Sequence, residues 1–536
     1  MSRVKTKVFP DKPVDGRLAS VAKVAFVALG ALLSMPLSGR AVEIQEPPVI
    51  SSVNGVMDLL MIAQATRMPT LTPMRPQGFF YNICRRPADG SEICPPGSPG
   101  SNPYNSVRLQ LQGGDKVRVH FVNKLPPLTD SKHAQDPGDA WLAMNPTNLH
   151  WHGLLVSPHY PSKTDPTYGD VIFVITFNAA NGTPPSFAGV HADVRMNSTD
   201  YSFTVPPNHP SGMAFVHPHI HGITLNQLEA GMESMVTVGS VNDYVCAGPE
   251  CRDFAKDLEV RHITIKSMQV LADGTRQDQP NPGMCDDPDT GGLVLPARQG
   301  YCPGQNFTSQ GDLNYTGAKW FVSLNGQPYP TITVKSKAGE VWRILNAVGS
   351  MTQNVVLYDT KTKSNMVFQI LSLDGVSVDT TKNPTTSRRY HRVPCPGVAV
   401  SGGETPICAD RMLMMPSSRA EVWVTYRDAD GKIATPPENA QAILRTEGYN
   451  TGPAGDTWPA VDLAEVKFNQ PHAAKTVSHL TVSGPRASLT SPLEIAQDLN
   501  QANANVGVTM SQCKPLPAGH SRRFPRSRRQ SRSTSQ

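Results

Sequence analysis

Between Val107 and Val122 the sequence alternates apolar and polar residues twice over. Val107-Arg108-Leu109-Gln110-Leu111-Gln112 is followed, across Gly113-Gly114-Asp115, by Lys116-Val117-Arg118-Val119-His120-Phe121-Val122. A period of two buries one face of a strand and wets the other, so the pattern predicts half-buried strands of a β-sandwich. Tyr201–Val205 and Arg261–Val270 read as further strands, while Asn54–Ala65 suits a strand or a short helix. With 49 prolines and 42 glycines supplying turns, the expectation is an all-β chain. Gly339-Glu340-Val341-Trp342-Arg343-Ile344-Leu345-Asn346 echoes Gly114-Asp115 with Arg118 and Asn123, as two copies of one sandwich would. A length of 536 residues allows two or three such units, and a hydrophobic fraction of 39% is enough for each to have a core.

Histidine spacing carries the chemistry. Asn148-Leu149-His150-Trp151-His152-Gly153 is answered by Phe215-Val216-His217-Pro218-His219-Ile220-His221-Gly222. In an extended strand alternate side chains share a face, so each pair can aim two imidazoles at one point. A single such pair is more often a surface pair or a satisfied core pair than a metal site. Two pairs, each followed closely by glycine, favour a four-nitrogen metal site, and imidazole suits copper, zinc, iron or nickel alike. His262 and His391 stand outside any spaced pair and read as structural or exposed.

The first stretch resembles the His-Trp-His-Gly signature of multicopper oxidases, the family of laccases and ascorbate oxidases. The second resembles that family's next His-X-His, which precedes a Gly-Met stretch, here Gly231-Met232 through Val238. Ala214-Phe215-Val216 departs from the family's usual two aromatics before the histidine. The resemblance runs from about Asn54 to about Arg523. It implies two cupredoxin-like (plastocyanin-like) Greek-key β-sandwich domains, over residues 50–245 and 257–470, with copper as cofactor. By resemblance His150 would serve type 2 copper, and His152, His217 and His219 the type 3 pair. His221 is an extra histidine just beyond the motif.

The formal charge of +5 divides unevenly: residues 1–41 carry +5 and residues 514–536 carry +7, which leaves −7 for the body. A mildly acidic body argues against nucleic-acid binding. Basic residues before the apolar run Val24–Leu37, with Gly39-Arg40-Ala41 after it, predict a signal peptide over 1–41. The run is short for a membrane span, so none is expected after processing. Export to the periplasm or the medium agrees with the cysteines. Cys84 and Cys94, Cys246 and Cys251, Cys285 and Cys302, and Cys395 and Cys408 fall into local pairs, which an oxidising compartment would join. No Cys-X-X-Cys occurs, so a zinc ribbon is not indicated.

In an intact enzyme of the family, a phenol, an aromatic amine or a reduced metal ion loses single electrons at a blue type 1 copper. A trinuclear cluster then uses them to reduce dioxygen to water. That cluster takes histidine pairs from a first and a third domain, and a third-domain His-Cys-His links it to type 1 copper. After residue 446 this sequence holds only His472, His479 and His520, and Cys513 has no flanking histidine. Residues 471–536 therefore read as the remnant of a third domain with a disordered basic tail, and the chain as a truncated oxidase with little activity of its own. A two-domain oxidase would need a Cys-His pattern that is absent. An envelope copper-binding protein without catalysis, or an interaction protein with vacant sites, are the competing expectations.

Overall fold

A computed structural model describes residues 42–484 apart from 69–76, 100–103, 129–139, 187–191, 247–248, 271–318, 382–386, 396–402, 404, 429–432, 452–456 and 472–476. The signal peptide expected over 1–41, the tail expected to be disordered, Cys513 and the pair Cys285 and Cys302 lie outside the described residues, as does the long excursion read over 271–318. Val42 and Glu43 belong to one unit; from Ile44 onward the chain is a second.

The first half contains β1 (Val49–Ser51), β2 (Val56–Arg67), β3 (Gln77–Arg85), β4 (Arg108–Leu111), β5 (Lys116–Lys124), β6 (His150–His152), β7 (Val174–Phe177), β8 (Asp193–Met196), β9 (Ser198–Thr204), β10 (Gly212–His217) and β11 (Ser234–Val238). The stretch open to helix or strand is strand β2. Alternation holds along β5, where Val117, Val119 and Phe121 are buried and Lys116 and Arg118 exposed. Between β4 and β5 the chain turns back through Gly114 at φ +93°, a conformation that disfavours side chains. β4 and β5 thereby enter different sheets. One has the order β1-β4-β11-β10-β6 and the other β3-β2-β5-β9. Their facing apolar sides, with Leu109, Trp151 and Val216 opposite Phe121, Tyr201 and Phe203, make one core. Trp151 packs edge-on against Phe203 at 5.0 Å between ring centres.

The fourteen described strands of the second half form one sheet, from Glu259–Val270 to Thr457–Phe468. Val322 and Val334, near opposite ends of that sheet, lie in one core with Trp342, Val422 and Phe468, so the sheet folds back on itself. The all-β expectation holds, with sandwiches built around two cores. Residues 477–484, read as part of a terminal remnant, pack here too. Leu480 donates its backbone N–H to Gln369 Oε1 at 2.8 Å and accepts from Gln369 Nε2 at 2.7 Å.

Polar groups join the halves. Helix α1 (Thr224–Glu229) ends on Glu229, whose carboxylate accepts from Gly349 N, Ser350 N, Ser350 Oγ and Ser267 Oγ at 2.9–3.1 Å. Lys266 pairs with buried Glu233 at 2.7 Å and donates to Gly231 O at 3.0 Å. Helix α2 (Pro249–Ala255) lies in the link between the halves, where Cys246 is joined to Cys251. Cys84 is joined to Cys94 and Cys395 to Cys408.

Candidate metal centre

β6 is three residues long and lies at the end of the five-stranded sheet, paired antiparallel with β10 alone. Its register sets His217 opposite His150, Val216 opposite Trp151 and Phe215 opposite His152. Trp151, Val216 and Ala214 are buried in the first core. By alternation His150, His152, Phe215 and His217 then share the opposite face. That face meets the second half, since Met213 and Phe215 cluster with Leu345 and Ala347.

On this face the imidazoles gather. Ring centres are 5.6 Å apart for His150 and His152, 5.3 Å for His150 and His217, and 5.6 Å for His152 and His217. Each of the three offers a nitrogen within 4.8 Å of the others'. His152 Nδ1 faces His217 Nε2 at 3.4 Å. Two imidazole nitrogens bound tetrahedrally at about 2.0–2.1 Å to one ion would lie about 3.4 Å apart, so the pair fits a shared metal. Phe215 stacks on both rings, 4.8 Å from His152 and 4.7 Å from His217.

Two of the far nitrogens are occupied. His150 Nδ1–H donates to Asp170 Oδ1 at 3.1 Å, and the same oxygen accepts the backbone N–H of Trp151 at 2.9 Å. His217 Nδ1–H donates to Pro218 O at 2.7 Å. A carboxylate or carbonyl on one ring nitrogen leaves the other as a lone-pair donor, the arrangement of a metal-binding histidine. The loop 153–171 brings Asp170 back to β6, with Asp170 N–H donating to Ser157 O at 3.1 Å.

Burial keeps His152, His217 and His219 neutral. His152 is lowered to about 4 by burial, assisted by Arg419 and His150. His217 lies well below its ordinary value, again through burial first and then through His150 and His152. His219 is lowered by the same two kinds of cause, burial and then His150. Neutral imidazoles at pH 7 bind metal without first losing a proton.

His219 is placed differently from the expectation of a second strand pair. β10 ends at His217, so alternation does not carry past Pro218. His219 is held instead by its backbone N–H, which donates to Asn148 Oδ1 at 2.7 Å. Its ring is 5.1 Å from His150, and its buried Nδ1 has no hydrogen-bond partner. That orphaned nitrogen fits a metal ligand at the edge of the three-ring group. His221 is exposed and 5.6 Å from His219. Other described histidines are engaged elsewhere. His120 bridges Asp200 and Glu92, His262 contacts Glu46 and His391 contacts Asp410.

Asp170 and Arg419 carry no sequence signal for a role here, because each reaches the histidines by tertiary contact. Asn148 adjoins the first pair, and an amide so close to the motif could have been singled out.

No family profile matches the sequence, and neither does any curated protein. Among solved structures the chain is similar to McoA, a multicopper oxidase of the hyperthermophile Aquifex aeolicus. The identity is 15%, over 83% of this chain and 68% of that one, with a TM-score of 0.48. It is also similar to a multicopper oxidase from Campylobacter jejuni described as a metallo-oxidase, at 14% identity over 83% and 64% of the two chains and a TM-score of 0.43. A laccase from Pediococcus acidilactici gives 13%, 82%, 64% and 0.44 in the same order.

Proposed function

We propose that the chain is an exported copper-binding protein of multicopper-oxidase type, holding the ion on Nε2 of His150 and His217, on Nδ1 of His152, and on His219. The observation that carries this reading is the set of imidazoles gathered on one sheet face, two of them with their far nitrogens pinned by Asp170 and Pro218 O. Motif resemblance favours copper over zinc. Bound copper would supply one-electron redox chemistry and a seat for dioxygen. The residues themselves orient the ligands, and Phe215 stacks on two of the rings while Trp151 anchors β6 in the first core. The family's trinuclear site draws on a second set of histidine pairs and a Cys-His path, which the sequence does not show after residue 446. The chain alone is therefore expected to bind copper while turning over phenols, aromatic amines or reduced metal ions little or not at all.

The test is an absorption spectrum and an oxidase assay on copper-loaded, purified chain. Bound copper without an intense band near 600 nm, and without oxygen uptake, is the expected result, since that band requires a cysteine-copper bond. A blue protein with laccase turnover would overturn the half-site reading.

A further inference from the structure

One buried cation faces the histidine cluster from the other half of the chain. Arg419 opens the strand Arg419–Val424 of the second sheet and is 4% exposed. Its guanidinium carbon lies 5.9 Å from the centre of the Phe215 ring, the ring that stacks on His152 and His217. It also abuts the residue after His152, where a Cβ on Gly153 would lie 2.6 Å from Arg419 Nη2. The head group is fixed by donation from Nη1 to Ser417 O and from Nη2 to Asp374 O, both at 2.9 Å, and by a longer contact from Nε to Met213 O at 3.4 Å. Its counter-charge is incomplete. Asp374 Oδ1 is 4.0 Å from Nη1, and the Asp374 side chain is 42% exposed and shared with Arg389.

We propose that Arg419 is a positioning residue that sets the charge preference of the metal site, biasing the cluster toward monovalent over divalent copper. A fixed positive charge behind Phe215 opposes the second charge of Cu(II) more than the single charge of Cu(I). Burial strengthens the effect, and Asp374 offsets it in part. The device depends on the docking of the two halves, because the cation and the ligands come from different sandwiches.

The inference rests on the copper reading above, and the experiment separates the two. Affinities of the full chain are measured for Cu(I) against bicinchoninate under argon and for Cu(II) against nitrilotriacetate. Arg419→Met is expected to shift the ratio toward Cu(II) by about threefold to tenfold, the size of a partly compensated charge at this range. Arg419→Lys, which keeps the charge, should stay near wild type. Asp374→Asn removes the counter-charge without touching the histidines and should shift the ratio the opposite way, toward Cu(I). It also serves where Arg419→Met does not fold. Loss of packing alone would not give opposite signs in the two variants. Wild-type chain that binds copper while both ratios stay put overturns the role of Arg419. Wild-type chain that holds neither ion overturns the copper reading and this inference with it.

Discussion

His150 and His217 face each other across one step of the β6–β10 ladder, and the groups on their far nitrogens decide how they can act. Asp170 is the more informative of these, because one carboxylate oxygen holds both the His150 ring and the Trp151 backbone. Carboxylates in this position typically account for about 10–100-fold in metal affinity. Asp170→Ala is therefore expected to weaken copper binding by about that factor, with the fold intact. Asp170→Asn, whose Oδ1 can still accept both bonds, should lose much less. Equal affinities for wild type and Asp170→Ala, measured by chelator competition, would remove Asp170 from the site. The first pair, His150 and His152, was legible because a strand's period of two is written in the chain. Asp170 was not, since seventeen residues of loop lie between His152 and Asp170, where its carboxylate returns.

At the scale of elements, the site depends on a short edge strand and the residue that ends it. β6 is held on one side only, and Gly153 leaves it at φ +88° with Arg419 where a Cβ would be. Left-handed strain and a clash with a buried cation both oppose a side chain there. Gly153→Ala should cost about 1–3 kcal/mol in urea denaturation. It should also weaken copper binding, because the end of β6 must shift. An unchanged midpoint would mean that the turn is looser than described. The sandwich strands β4 and β5 were legible from alternation and the turn at Gly114. By contrast, the seating of His219 was not, because β10 stops at His217 and a side-chain amide takes over.

For the whole molecule, the cluster lies where one sandwich meets the other, and the joint itself contains titratable groups. Glu229 is buried with four donors from the second half, and burial raises it to about 7 against those donors. Its folded value lies above its unfolded one. The stability it contributes is thus full below pH about 4.5 and lost as pH rises through about 7. Glu229→Gln mimics the protonated acid. Its stability should gain on wild type by on the order of 2–3 kcal/mol between pH 5 and pH 8, read from urea midpoints. Parallel pH curves would contradict a raised carboxyl. The echo of Gly114–Asn123 by Gly339–Asn346 falls on a strand in each half, Lys116–Lys124 and Glu340–Asn346, but which faces meet is a matter of tertiary packing and left no periodic trace. Whether this joint holds copper is tested most directly by counting the metal. Purified chain loaded with copper and passed through a desalting column is compared with His152→Ala/His217→Ala prepared alongside. Retention of about one copper per wild-type chain and almost none by the double variant is the predicted result. Equal copper in both, or none in either, would contradict a metal site at these histidines.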